Sequence, residues 1–404
     1  MILRLAWRNL WRQPRRTILS LLSIAFTMGV TVWMLGLQQG VYGHLENNYM
    51  HILHGYAQIQ PRGYADDPVI ERNIEQPQAL QQKIAGLGLT TAPRASTYAI
   101  LSTQKLSRGA ALLGVVPASE RKLSAIPAGI VKGRYLDSDD RNAVVLGSLL
   151  ARNLHVTVGE SITFLSTARD GTIAADRLTV VGIFNTGIAE LDRQFAEMPL
   201  ALFQQDFALG YAVNFIAVGG ASLDSVNRQL PALRRLATKS GLTTKAWYEL
   251  EPGLHQAIHL DATISTFWYA MLLIVVTFII LNTLLMTVLE RTREFGMVLA
   301  LGARRDLLGK IVWVELVILV LLSAAFGMAA GAAVVLWQAA HGLVLPGSEA
   351  IFRQWGMSGV LHPTLTPFSL FTGPGLITLG VMFAGLFPYL RIRKLEPVSA
   401  MRAV

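Results

Sequence analysis

The chain contains no cysteine among its 404 residues. That excludes a disulfide framework, thiolate zinc sites and cysteine catalysis, and it leaves the redox compartment open. Charge is scarce as well: Asp, Glu, Lys and Arg make up 15% of the chain, against about 25% in average soluble proteins. With 52% hydrophobic residues and a mean hydropathy of +0.43, neither a purely soluble protein nor a disordered chain fits. Sequence signatures of catalysis are missing too. The nearest approach to a phosphate-binding loop is GARRDLLGK at 302–310. Its glycines stand too far apart for a Walker A loop, and Ile311 follows the lysine where Ser or Thr is needed. His255 and His259 read HQAIH without the Glu of a zinc peptidase. His51 and His54 form a second pair with no obvious carboxylate, and no G-x-S-x-G elbow is present. Both histidine pairs read as polar faces of helices.

What the chain does have is long apolar runs. A membrane-spanning helix needs about 20 mostly apolar residues. Four segments qualify: 17–40, 264–289, 311–340 and 368–390. Buried core helices of a soluble domain rarely stay apolar on every face for that length. The first run is too long for a signal-peptide core and no A-x-A-like site closes it, so it reads as an uncleaved anchor. Glu315 is the one acid inside these runs, close to the start of the third. Intramembrane acids are functional candidates by default. Its position near the helix end predicts snorkelling, or pairing with Lys310 or a basic loop residue.

The positive charge locates the two sides. An isoelectric point of 9.9 could signal a nucleic-acid binder. However, the segments 1–16, 290–310 and 391–404 hold fourteen basic and four acidic residues, whereas 41–266 holds twenty of each. The excess is therefore a topology signal, and no nucleic-acid partner is expected. The positive-inside rule places both termini and the 290–310 loop in the cytoplasm. Residues 41–263 and the loop 341–367 then lie outside.

The outer segment 41–263 is long enough for its own core. Its ends continue the spans as helices, with His44, Glu46, Asn47 and Asn48 breaking the apolar pattern, and both ends read as stalks. Between them the pattern is α+β. Strands are expected at 57–60, 89–102, 110–116, 142–146, 161–165, 178–184, 198–203, 214–218 and 242–247. Helices are expected at 76–85, 148–153 and 223–238. Arg169-Asp170-Gly171 has hairpin chemistry. Two lobes are expected, the middle one near 108–180.

Two short segments carry further information. In MILRLAWRNLWRQPRRT, Leu3, Trp7, Leu10 and Trp11 share one helical face, and Arg4, Arg8, Arg12 and Arg15 cover another. That pattern predicts an interfacial helix over 1–16, with tryptophans at headgroup depth and arginines toward anionic lipid. The 290–310 loop begins with alternating charges, Glu290, Arg291, Arg293 and Glu294. Phe295, Val298, Leu299 and Leu301 follow as an apolar face, and Gly302-Ala303 as a turn. Arg304, Arg305 and Asp306 then cap a return helix. A solvated loop needs no apolar face; a short helix that docks a partner protein does.

NTLLMTVLERTREFGMVLALGARRDLLGKIVWVE closely resembles the signature of FtsX-like ABC transporter permeases, the class that includes MacB and the lipoprotein-releasing LolC and LolE subunits. The matching elements are residues 290–296, 300–303 and Glu315. The opening AWRNLWRQPRRTILSLL, the ending FPYLRIRKLEPVSAMR, and VVLGSLLARNLHVTVGESITF, VVGIFNTG and MPLALFQ between them agree, so the resemblance covers nearly the whole chain in order. It implies four transmembrane helices and a large α+β extracytoplasmic domain of MacB periplasmic-core type on helical stalks. It also implies a coupling helix at about 292–301 that seats in a separate ATPase. By the resemblance, Glu290, Arg291, Arg293, Glu294, Phe295, Gly296, Leu299, Leu301 and Gly302 form the coupling site. The spacing of the amino-terminal helix already marks Trp7, Arg8, Trp11 and Arg12 as the membrane interface. No cofactor or metal is expected in this chain, with ATP and Mg on the partner. The partners implied are two cytoplasmic ABC ATPase subunits, a second copy of the permease or a related one, membrane lipid, and a periplasmic chaperone or adaptor. The location implied is the bacterial inner membrane. The leading expectation is a transport subunit that extracts or exports an envelope lipoprotein or other amphiphile by mechanotransmission. The alternatives are an FtsX-like signalling subunit that regulates an envelope enzyme and, with no catalytic constellation to support it, a membrane-anchored enzyme.

Overall fold

A computed structural model describes residues 2–301, 304–344, 346–347 and 360–393. Gly302, Ala303, Glu349, Arg353 and the tail 394–404 lie outside the described residues, as do the side chains of His44, Glu46, Asn47, Asn48, His51 and Arg305. The chain forms two compact units. One holds residues up to 42, 258–344 and those from 360 onward; the other holds 43–257.

The chain opens with α1 (Ile2–Leu10) and α2 (Pro14–Tyr49). Pro14 supplies a fixed φ and no N–H at the first helical position, where neither is missed. A π-helical turn, Met50–His54, follows.

The second unit is built on one ten-stranded sheet. In chain order it contains β1 (Ala57–Gln60), α3 (Pro77–Ala85), β2 (Thr90–Ser102), β3 (Ser107–Val115), α4 (Pro117–Leu123), β4 (Ile130–Gly133), β5 (Ala143–Gly147) and α5 (Ser148–Leu154). There follow β6 (Ser161–Thr167), β7 (Ile173–Phe184), α6 (Ala189–Gln194), β8 (Phe195–Pro199), α7 (Leu200–Asp206), β9 (Phe215–Gly219), α8 (Leu223–Lys239), β10 (Thr243–Ala246) and α9 (Trp247–Leu250). The strand order is β10-β1-β9-β2-β3-β8-β5-β7-β4, and β6 pairs with both β2 and β7. The path β2-β3-β8-β5-β7-β6 therefore returns to β2 and closes a ring.

Two expectations are corrected here. Residues 108–180 are not a separate lobe. The 13-residue strand β2 pairs with β9 through its first five residues and with β6 through its last three, so one strand belongs to both halves. The strand expected at 198–203 is also displaced: β8 ends at Pro199, and α7 begins at Leu200. Proline has no N–H for the ladder and suits a helix start. Phe203 then turns inward, so close to Gly114 that a Cβ there would lie 2.7 Å from the phenylalanine Cβ. The hairpin at 169–171 forms as its chemistry suggests, with Gly171 at φ +83° and Asp170 accepting from Thr172 N at 3.0 Å.

A buried charge cluster sits under the sheet. Arg94 on β2 donates from Nε and Nη2 to Glu120 on α4, both at 2.7 Å. Nearby, the Tyr135 hydroxyl donates to Glu197 Oε2 on β8 at 2.7 Å. Burial pushes the Glu197 carboxyl up to about 8, with the neighbouring Glu120 charge adding to the shift. Nothing in the sequence pattern pointed to this cluster, because its members are widely separated in the chain.

The first unit contains α10 (Pro252–Glu290), α11 (Thr292–Ala300), α12 (Arg305–His341), a two-residue ladder of β11 (Leu343–Val344) with β12 (Val360–Leu361), α13 (Pro367–Ala384) and α14 (Leu386–Arg393). Among the described residues, four helices are long and apolar enough to cross a membrane: 14–43, 252–282, 306–341 and 367–390. Small residues let α2 and α12 approach closely. A Cβ on Gly327 would lie 2.5 Å from Ala25 O, and one on Gly331 2.7 Å from Gly29 O. This close approach through small residues is the usual device of packed membrane helices. Ile24, Met28, Ile280, Leu316, Val320, Ile377 and Val381 fill the space between the four. α10 contributes least, with 6% of its apolar window buried.

Candidate coupling site

The loop between the second and third spanning helices is a helix anchored on one side. α10 stops at Glu290, and Arg291 adopts φ −94° and ψ 3°, which breaks the helix before α11. Phe295 and Leu299 of α11 enter a core with Val288, Leu308, Val312 and Ile392. Gly296 is buried as well. The far wall is fixed by α14, where the Tyr389 hydroxyl donates to Asp306 at 2.6 Å and the ring packs on Gly309.

That anchoring corrects the expected docking face. Phe295 and Leu299 serve this chain's own core. The outward face is Arg293, Met297, Val298, Ala300 and Leu301. Leu301 is 88% exposed, Met297 51% and Val298 40%. Met297 was missed by the sequence reading. Its place two residues from Phe295 and Leu299 was the available signal, since that spacing puts it on the other side of a helix. Gly302 lies outside the described residues.

The charged residues of the loop pair mainly with the amino terminus. Arg16 bonds Glu290 at 2.5 Å, and Arg12 bonds Glu294 at 3.2 Å. Arg291 stacks over the Phe295 ring at 5.2 Å, and its Nη1 lies 3.3 Å from Glu315 Oε2. Asn9 Nδ2 donates to Glu315 Oε1 at 2.7 Å. Of the partners expected for Glu315, the basic loop residue is found. Lys310 instead meets Asp306 at 2.6 Å, one helical turn away.

α1 lies against α12, with Ala6 fully buried. Leu3, Trp7 and Trp11 point outward, and the two indole rings meet edge to face at 5.9 Å. Arg8 is exposed beside them. Among the other candidates, His54 does have a carboxylate: its Nε2 lies 2.8 Å from Glu251 Oε1. His255 packs edge-on against Trp247. Among the described residues no cluster of three metal-ligating side chains occurs.

Four helices long and apolar enough to span a membrane, one large α+β insertion after the first, and a short anchored helix between the second and third are the architecture of an integral-membrane protein. Comparison with known proteins agrees. The MacB-like periplasmic core domain model matches residues 17–233, and the FtsX-like permease C-terminal model matches residues 266–397. The chain belongs to the FtsX-like ABC transporter permeases that carry a MacB-like periplasmic core.

Curated relatives include the lipoprotein-releasing system transmembrane protein LolC of Neisseria meningitidis serogroup B, 24% identical over 96% of this chain and 94% of that one. LolE of Haemophilus influenzae, from the same kind of system, is 24% identical over 76% of each chain. The extracellular domain of the Gram-positive transporter YknZ is similar at a TM-score of 0.34 and 10% identity, over 47% of this chain and 97% of that domain. The periplasmic region of MacB from Actinobacillus actinomycetemcomitans is similar at 0.35 and 15%, over 50% and 91%.

Proposed function

We propose that this chain is the transmembrane subunit of an ABC transporter that moves lipoprotein, or another amphiphile, out of the bacterial inner membrane. Its termini and α11 face the cytoplasm, and residues 43–257 face the periplasm. A separate ATPase, with ATP and Mg in its own sites, seats the outward face of α11. Closure of two ATPase subunits draws two permease chains together and moves the periplasmic domains. The observation that carries this reading is the two-sided character of α11. Phe295 and Leu299 fix the helix to its own chain, while Arg293, Met297, Val298 and Leu301 stay uncovered. Exposed apolar side chains on an anchored helix suit a protein partner better than water. The uncovered apolar length of α10 supports a second permease chain beside it in the bilayer.

The positive-inside rule supports the orientation. The relatives named for lipoprotein release support the cargo class. The experiment is reconstitution of the chain with its co-purifying ATPase in liposomes loaded with a triacylated lipoprotein. ATP-dependent transfer of the lipoprotein to a soluble acceptor is the expected result. No transfer, combined with ATP-dependent activation of a cell-wall hydrolase, would favour a signalling role and contradict the transport reading.

A further inference from the structure

At the end of the first unit that carries α11, the helices α1, α2, α10 and α12 leave an open cavity of about 750 Å³. Its rim holds Arg12, Arg15 and Arg16, in the turn before α2 and the first turn of that helix. The partial positive charge of a helix N-terminus adds to theirs. Its floor is apolar: Leu19 and Ile279 are exposed on it, and Ile24, Ile280 and Leu319 behind them belong to the buried core of the unit.

The acids on the lining are already engaged. Glu315 bonds Asn9 and Arg291, and Glu294 bonds Arg12 and Arg291. Arg15 is exposed and makes no ion pair among the described residues. The depth of the rim is marked independently. Trp7 and Trp11 point outward just before it, and exposed tryptophans of a membrane protein sit at headgroup level. Arg12 and Arg16 are paired with Glu294 and Glu290, so Arg15 and the helix N-terminus supply the uncompensated positive charge of the rim. At headgroup depth over a hydrocarbon floor, that charge matches one chemistry, an anionic head on an acyl chain.

We propose that this cavity binds an anionic phospholipid, with its phosphate against Arg15 and the neighbouring arginines and an acyl chain along the exposed Leu19 and Ile279. The lipid braces the α1–α2 turn against α10 and α12. Its assignment to the cytoplasmic leaflet rests on the orientation proposed above; the binding itself does not.

The test is native mass spectrometry of the full chain in detergent, titrated with dioleoylphosphatidylglycerol or dioleoylphosphatidylcholine. Phosphatidylglycerol should be retained at roughly tenfold lower concentration, because the choline ammonium of phosphatidylcholine offsets its phosphate charge and is repelled by the unpaired Arg15. Arg15→Gln, at an exposed position that leaves the fold intact, should bring the two lipids toward parity. Ser20→Trp, which fills the cavity and spares the arginines, should abolish retention of both. Inorganic phosphate should not displace the lipid. Equal retention of the two lipids by the unaltered chain, unchanged retention in either variant, or displacement by phosphate would each overturn the proposal.

Discussion

Arg291 Nη1 lies 3.3 Å from Glu315 Oε2, with the two side chains 19% and 11% exposed. Asn9 holds the other oxygen of the same carboxylate at 2.7 Å. One carboxylate thus joins the residue before α11, the third spanning helix and the amino-terminal helix. A displacement of α11 meets α12 and α1 at that point. Arg12–Glu294 joins the α1–α2 turn to α11 and Arg16–Glu290 joins α2 to α10, but both are more exposed, and exposed ion pairs contribute little.

Breaking this pair from one side leaves a poorly solvated charge without its partner. Such losses cost about 3–5 kcal/mol in fully buried sites, and the residual exposure here brings the figure nearer ~2 kcal/mol. Glu315→Ala and Arg291→Ala should each lower the melting temperature of the purified chain, and the double variant should lower it by less than the two combined. Thermal unfolding in detergent gives the answer; strictly additive shifts would show that the contact carries no coupling.

Gly331→Leu should separate α2 from α12. A Cβ alone meets Gly29 O at 2.7 Å and Val32 Cβ at 2.9 Å, and backbone cannot swing aside as a flexible side chain can. Overpacking of this kind costs about 1–3 kcal/mol. Gly375→Ala on α13, with nothing within 4 Å of the added carbon, should leave the melting temperature unchanged or raise it slightly. If both substitutions behave alike, the close helix approach is not a feature of the folded protein.

The Glu197 carboxyl is pushed up to about 8 by burial, and its Oε1 has no hydrogen-bond partner among the described residues. The folded chain therefore holds a proton that the unfolded chain has released between the ordinary carboxylate value of about 4.3 and pH 8. Stability from this group is complete below that window and is lost as pH rises through it. The melting temperature should fall from pH 5 to pH 8, and Glu197→Gln should flatten that slope. A steeper slope in the variant would contradict the assignment.

Much of this was legible from local pattern. The spanning helices follow from apolar runs that need no partner to be recognised. The hairpin at Asp170-Gly171 follows from turn chemistry confined to three residues. What escaped depends on contacts distant in sequence. Arg94 lies on a strand, where nothing local announces that Glu120 will neutralise it. The single sheet was hidden because β2 is shared through pairings with β6 and β9, both far along the chain. In the segment between the second and third spans the helix was legible but its facing was not. Phe295, Val298, Leu299 and Leu301 are all apolar, and only the packing of Leu308, Val312 and Ile392 decides which of them turn inward. Of the charges at 293 and 294, only one suits a test of coupling by charge reversal. Glu294 bonds Arg12 and Arg291, so its reversal disturbs the fold, and Arg293 is the exposed member of the two.

The central claim is that the outward face of α11 meets an ATPase. The absence of native cysteine makes it directly measurable. A single cysteine replacing Leu301 on the exposed face, and another replacing Phe295 on the buried one, can each be treated in the co-purified complex with benzophenone maleimide, whose photolysed ketone inserts into a neighbouring C–H bond and needs no thiol on the partner. Leu301→Cys should form an adduct of this chain with the ATPase, and Phe295→Cys should form none. An adduct from Phe295→Cys alone, or none from Leu301→Cys in an intact complex, would contradict the account.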